Sequence, residues 1–245
     1  MYLIGFALAW FGLRARARRV DSPIQPAEVD DLIFYVALGV ILGGRVGYMF
    51  FYNTATLIQN PLSLFRVWEG GMSFHGGLIG VSVSMFLYAK QLQIPFFSVT
   101  DFIAPWVPPG LGLGRIGNFI NGELWGGQTH PEAIYAVWVN GVPRHASQLY
   151  EAFLEGLVLF LILWWYSRTA RPVMAVTGLF LLCYGIFRSA VEFVRLPDVH
   201  LNMAADGYLA FGWLTMGQVL SAPMIVIGGV ILIVAHKSKA QNQQS

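Results

Sequence analysis

Apolar runs long enough to cross a bilayer recur along almost the whole chain, and runs of that length leave a backbone few choices. In lipid every N–H and C=O must be satisfied within the protein, so a spanning segment folds as a helix or as one strand of a closed barrel. Taking about 20 apolar residues per helical crossing, the runs near 32–53, 70–89, 96–119, 148–166, 173–194 and 213–235 each read as a helix. The run at 1–13 reaches only about 20 Å as a helix, short of the roughly 30 Å hydrocarbon core, and reads as a short or truncated seventh span. The expected fold is an all-α integral membrane protein of about seven transmembrane helices forming one polytopic domain over residues 1–245. Only 11% of residues are charged, against about a quarter in a soluble domain.

Charge placement sets the expected orientation. With the N-terminus outside, Arg14, Arg16, Arg18, Arg19, Lys90, Arg168, Arg171, Lys237 and Lys239 fall on the cytoplasmic side, and only Arg66, Arg144 and Arg195 in outer loops. That asymmetry obeys the positive-inside rule. The basic cluster at 14–19 follows the first apolar run instead of preceding it, which argues against a signal peptide. Neither the net charge of +2 nor any basic stripe suggests nucleic-acid binding. The single cysteine, Cys183, excludes an internal disulfide or a cysteine cluster and reads as an apolar filler.

Two outer segments break the helical pattern. Residues 54–69 place Leu57, Ile58, Leu62, Leu64, Phe65 and Trp68 around Pro61, which suits an arm lying along the membrane interface and shaping lateral access. Residues 120–147, with Trp125, Trp138, Pro131 and Pro143, are expected to form a small irregular cap on the periplasmic side.

Ionisable groups inside apolar runs are costly, and they usually face a cavity, a partner or a substrate. Arg45, Arg115 and Arg188 are the arginines in that position. Residues 114–127 (GRIGNFINGELWGG) concentrate such groups, with Arg115 and Asn118 on one helix face and Pro105, Pro108 and Pro109 upstream to break or kink the helix that delivers them. Arg115 reads either as a ligand-binding group or as a structural arginine bonded to freed carbonyls. Arg188, Glu192 and Arg195 follow at i, i+4 and i+7, a spacing that suits a clamp for an anionic headgroup or a plain intrahelical ion pair. His75 precedes Gly76 and Gly77 and reads as a proton acceptor or a satisfied structural histidine. In the word RHASQLYE, Ser147 reads as a helix N-cap and Tyr150 as an interface residue. No His-Glu-x-x-His, paired-cysteine or phosphate-loop motif occurs, and no metal or other cofactor is expected.

Taken in order, GGRVGY at 43–48, MSFHGG at 72–77, residues 114–127, RHASQLYE at 144–151 and FRSAVEF at 187–193 resemble the signature words of the prolipoprotein diacylglyceryl transferases. The resemblance covers essentially the whole chain. It implies a seven-span enzyme of the bacterial inner membrane, N-terminus periplasmic and C-terminus cytoplasmic, with its site toward the periplasmic leaflet. It implies transfer of the diacylglyceryl group of phosphatidylglycerol to the thiol of the lipobox cysteine in a prolipoprotein signal peptide, with a thioether as product and glycerol phosphate leaving. By the same resemblance His75 matches the family's essential histidine, Arg115 and Arg188 its phosphatidylglycerol-binding arginines, and Tyr184 a position implicated in activity. Asn118, Glu123, Gly126 and Glu192 match further functional positions. It also implies an outer segment and the start of the first span upstream of Met1, with a functional tyrosine. The alternatives from other classes are a transporter and a non-catalytic lipid-binding protein for an anionic lipid or solute; the absence of an internal repeat argues against the first.

Overall fold

The computed structural model describes residues 1–196 and 214–242. The chain divides into two compact units, residues 13–102 and residues 1–12 with 103–245. The first helix, α1 (Tyr2–Ala17), runs from one into the other.

In the unit of residues 13–102, α2 (Val29–Phe51) packs lengthwise on α4 (Phe74–Gln91). The reason lies in two rows of small residues spaced four apart, Gly39, Gly43 and Gly47 on α2 and Gly76, Gly80 and Ser84 on α4. A Cβ at Gly43 would stand 2.7 Å from the Gly80 Cα, and one at Gly47 would stand 2.7 Å from the Gly76 Cα. Lipid supplies no hydrophobic drive between helices, so close backbone approach and dispersion do the packing. The two are also tied at the start of α4, where Ser73 N donates to Gly44 O at 2.9 Å and Ser73 Oγ caps the helix by accepting from Gly76 N at 3.2 Å.

Between them lies the arm, formed by α3 (Thr54–Gln59) and two 3₁₀ turns, Pro61–Phe65 and Val67–Glu69. It displays Ile58, Leu62, Phe65 and Trp68, each more than two-thirds exposed. Arg45 explains how the arm is held. Its guanidinium, 3% exposed, donates to the carbonyls of Ser63, Leu64 and Gly70. One of the three arginines inside apolar runs is therefore structural. At the other end of the unit Tyr88 Oη donates to Glu28 O at 2.7 Å, and Leu32, Val99 and Phe102 are buried.

The run at 96–119 is broken where its prolines sit. α5 (Phe96–Ile103) gives way to a 3₁₀ turn, Ala104–Trp106, and α6 (Val107–Asn121) restarts with Pro108 and Pro109 in its first turn, where a missing N–H costs nothing.

In the second unit α6 leads into a cap-like segment whose strands β1 (Ala136–Val139) and β2 (Val142–His145) pair antiparallel. The next helix is continuous from Ser147 to Tyr166 but changes geometry inside: α7 (Ser147–Glu151) passes through a π-helical stretch, Ala152–Val158, into α8 (Leu159–Tyr166). α9 (Ala175–Val191) and α10 (Met216–Asn242) pack on one another through Gly178, Gly185, Ser221 and Gly228. Leu159, Leu163 and Val176 form the core beneath. Of the expected run at 213–235, residue 213 lies outside the described residues, Leu214 and Thr215 precede α10, and the rest falls within it.

Among the described residues, four helices are long and apolar enough to cross a membrane: Val29–Phe51, Ser147–Tyr166, Ala175–Val194 and Met216–Ser238. The runs at 1–13, 70–89 and 96–119 are helical but too short, too interrupted or too little apolar for the same criterion. Among the described residues the architecture is thus that of a mostly helical, multi-pass membrane protein.

Candidate functional site

Three arginines and two glutamates form one linear chain of ion pairs within the second unit. Arg115 on α6 meets Glu151 at 2.5 Å, Glu151 also meets Arg195 at 3.0 Å, Arg195 lies 3.6 Å from Glu192, and Glu192 meets Arg188 at 2.7 Å. Four segments build it. α6 carries Arg115 after its proline start, α7 ends on Glu151, α9 carries Arg188 in its last turn, and the 3₁₀ turn Glu192–Val194 brings Glu192 and Arg195 round behind it. Both glutamates are buried, at 1% and 6% exposure. An isolated buried carboxylate is very costly, and sharing each between two guanidiniums offsets that cost only while every partner is in place.

The ends of the chain differ from its middle. Arg115 and Arg188 each have one carboxylate partner, and their remaining N–H donors have no protein partner among the described residues. Guanidinium forks with spare donors, partly buried in low dielectric, suit a phosphate or carboxylate. Glu155 stands one turn beyond Glu151 in the π-helical stretch, 1% exposed, within electrostatic reach of all three arginines and without an ion pair of its own among the described residues. Such π-helical stretches recur at functional sites. Its neighbour Gly156 lets that stretch touch α6, since a Cβ there would lie 2.7 Å from the Gly112 Cα.

The segment after α6 adds a second cluster. Asn118 donates to Glu123 Oε1 at 2.8 Å and Asn121 to the same oxygen at 3.3 Å. Glu123 is thus held by the asparagines, and the partner of Arg115 is Glu151. Gly126 is wedged between two other segments: its N–H donates to His145 O at 2.9 Å, and a Cβ would lie 2.6 Å from Val194 O and 2.9 Å from the His145 Cβ. Only glycine fits. Gly127 N donates to Val194 O at 2.9 Å, so the 114–127 word is stitched directly to the segment carrying Glu192 and Arg195. Tyr184, one turn before Arg188, stacks on Phe180 with ring centroids 5.8 Å apart and packs against the Leu159–Leu163 core.

His75 belongs to the other unit. It occupies the first turn of α4 directly after the Ser73 cap, exposed, with its ring edge-on to Phe74 and no hydrogen-bond partner among the described residues. One expectation is overturned. The N-cap of α7 is Ala146, and Ser147, 0% exposed, sends its hydroxyl to Leu124 O at 3.0 Å. Tyr150 is half-buried, its hydroxyl 3.4 Å from His145 Nδ1.

Sequence comparison matches the chain over almost its whole length. The family model described as prolipoprotein diacylglyceryl transferase matches residues 1–234. A relative from Methylococcus capsulatus, named phosphatidylglycerol--prolipoprotein diacylglyceryl transferase, is 58% identical over 242 residues, covering 98% of this chain and 90% of its own length. Relatives of the same name from Teredinibacter turnerae and Coxiella burnetii are each 54% identical, covering 100% and 98% of this chain and 84% and 90% of their own. A match of that length and identity is a statement of common descent: the chain belongs to the prolipoprotein diacylglyceryl transferase family.

Proposed function

We propose that this protein transfers the diacylglyceryl group of phosphatidylglycerol to the thiol of a prolipoprotein's lipobox cysteine, as the first step of bacterial lipoprotein maturation. The observation that carries the reading is the Arg115–Glu151–Arg195–Glu192–Arg188 chain, two of whose arginines keep free donors, inside apolar helices of a member of this family. The family match does not favour transport or simple lipid binding.

The nucleophile comes from the substrate. A thiol reacts as thiolate, so the lipobox S–H first gives its proton to a base, which we assign to His75. The sulfur pair then forms an S–C bond at the glyceryl carbon bearing the phosphate while the C–O bond breaks. Its electron pair leaves on the phosphate oxygen as glycerol phosphate. Charge gathers on that phosphate during the step, and Arg115 and Arg188 stabilise it in a site poor in water. Glu192 and Glu151 hold the two forks in place. Asn118 and Glu123 take the glycerol hydroxyls of the headgroup, Gly126 keeps their turn against the arginine segment, and Tyr184 supports Arg188 from one turn away. The scheme uses no cofactor.

The same reading makes the protein a single seven-span domain of the inner membrane, N-terminus periplasmic and C-terminus cytoplasmic, with residues 120–147 as a periplasmic cap and its site open to the outer leaflet. The test is mass spectrometry of a lipobox peptide incubated with the purified chain and phosphatidylglycerol. Wild type adds one diacylglyceryl group, His75→Ala adds far less, and a peptide with serine in place of cysteine adds none. Folded wild-type protein that leaves the peptide unmodified overturns the reading.

A further inference from the structure

The turn that follows α6 has a backbone its sequence does not favour. Gly122 ends the helix at φ 71°, and Leu124 adopts φ 62°. In the left-handed region a Cβ crowds the following carbonyl, a cost glycine escapes and leucine does not. Residues held there persist only where the surroundings over-determine them, and they cluster at functional sites.

Three donors do the holding. Gln148 Nε2 donates to Glu123 O at 2.6 Å, Ser147 Oγ to Leu124 O at 3.0 Å, and Trp125 Nε1 to Gly122 O at 2.9 Å. Ser147 and Gln148 are 0% and 1% exposed, consecutive at the start of the helical turn that ends on Glu151. One short turn therefore grips the carbonyls on either side of the strained residue and also supplies the carboxylate shared by Arg115 and Arg195. The fit of Gln148 to stability alone is poor, because its Oε1 is buried with no partner among the described residues. An apolar side chain of that size would bury no unpaired oxygen of its own and would lose only the donor to Glu123 O. What Gln148 provides is one well-aimed donor.

We propose that Ser147 and Gln148 are positioning residues for the transfer reaction: they latch the strained 122–127 turn so that Glu123, with its asparagines, is fixed relative to Arg115. The proposal rests on the function assigned above. Its test compares wild type, Gln148→Met, Leu124→Gly and the double variant as full-length protein. Three quantities are read: kcat and KM for phosphatidylglycerol, amide hydrogen exchange across 122–127, and the thermal midpoint.

Methionine keeps the volume and removes the donor, so kcat falls about tenfold and exchange in the turn rises about tenfold, with the thermal midpoint held. Adding Leu124→Gly, which takes the positive φ without strain, brings both most of the way back. Unchanged kcat and exchange in Gln148→Met overturn the latch. So does a loss that comes with a lowered midpoint and is not relieved by the glycine. If wild type itself transfers nothing, the assigned function fails, and the exchange arm alone decides the latch by the same pair of outcomes.

Discussion

Glu151 and Gly126 carry the sharpest consequences at the scale of single residues. Glu151 serves two arginines at once, so Glu151→Gln leaves Arg115 and Arg195 short of a counter-charge in a buried setting. Removing one partner of such a pair costs about 3 kcal/mol or more. A lowered thermal midpoint together with a loss of transfer is expected, and an unchanged midpoint contradicts the ion-pair chain. Arg115→Lys keeps the charge and loses the fork; a point charge cannot reproduce two aligned donors, so kcat should fall about a hundredfold, read from initial rates of peptide modification. Gly126→Ala drives a methyl into Val194 O and the His145 side chain and should destabilise the turn enough to abolish transfer. The spacing of Arg188, Glu192 and Arg195 was open to reading from the sequence, because i, i+4 and i+7 fall on one helix face. Glu151 and Glu155 meet the criterion that singles out Arg115, an ionisable group inside an apolar run. That criterion reaches them once it is applied to carboxylates as well as arginines. The link from Ser147 to Leu124 left no such trace, since a serine before a helix fits an N-cap equally well.

Among the elements, the α2–α4 pair is the most exposed to substitution. Gly80→Val places a branched side chain where even a Cβ lies 2.7 Å from the Gly43 Cα. The helices must separate, and the Ser73–Gly44 bond that seats His75 goes with them. The variant should express poorly or lose activity, while Gly229→Val, at a glycine of α10 whose Cβ would meet nothing within 4 Å, should not. Equal behaviour of the two contradicts the packing. Helix positions were legible from apolar run length, and the break before α6 from Pro105, Pro108 and Pro109. The π-helical stretch was not legible, because one wider turn inside an unbroken apolar run leaves no periodic signature. Nor was the role of Arg45: a lone arginine in a span reads as a candidate ligand group until the three arm carbonyls it serves are seen.

For the whole molecule, the apolar composition and the long apolar helices give the class, a multi-pass helical membrane protein. The seven-span, N-outside arrangement predicts opposite sides for the arm and the segment after α8. With Cys183 replaced by serine, a cysteine at Arg66 should react with an impermeant maleimide added outside intact cells, and one at Arg168 only after permeabilisation. Reaction at Arg168 from outside contradicts the orientation. The chemistry itself is tested most directly by phosphatidylglycerol carrying ¹⁸O in the bond between the glyceryl carbon and phosphate, incubated with the protein and a lipobox peptide. Attack of sulfur on carbon predicts a peptide that gains an unlabelled thioether-linked diacylglyceryl group, with all of the label leaving in glycerol phosphate. Label retained on the peptide, or a peptide left unmodified by folded protein, contradicts it.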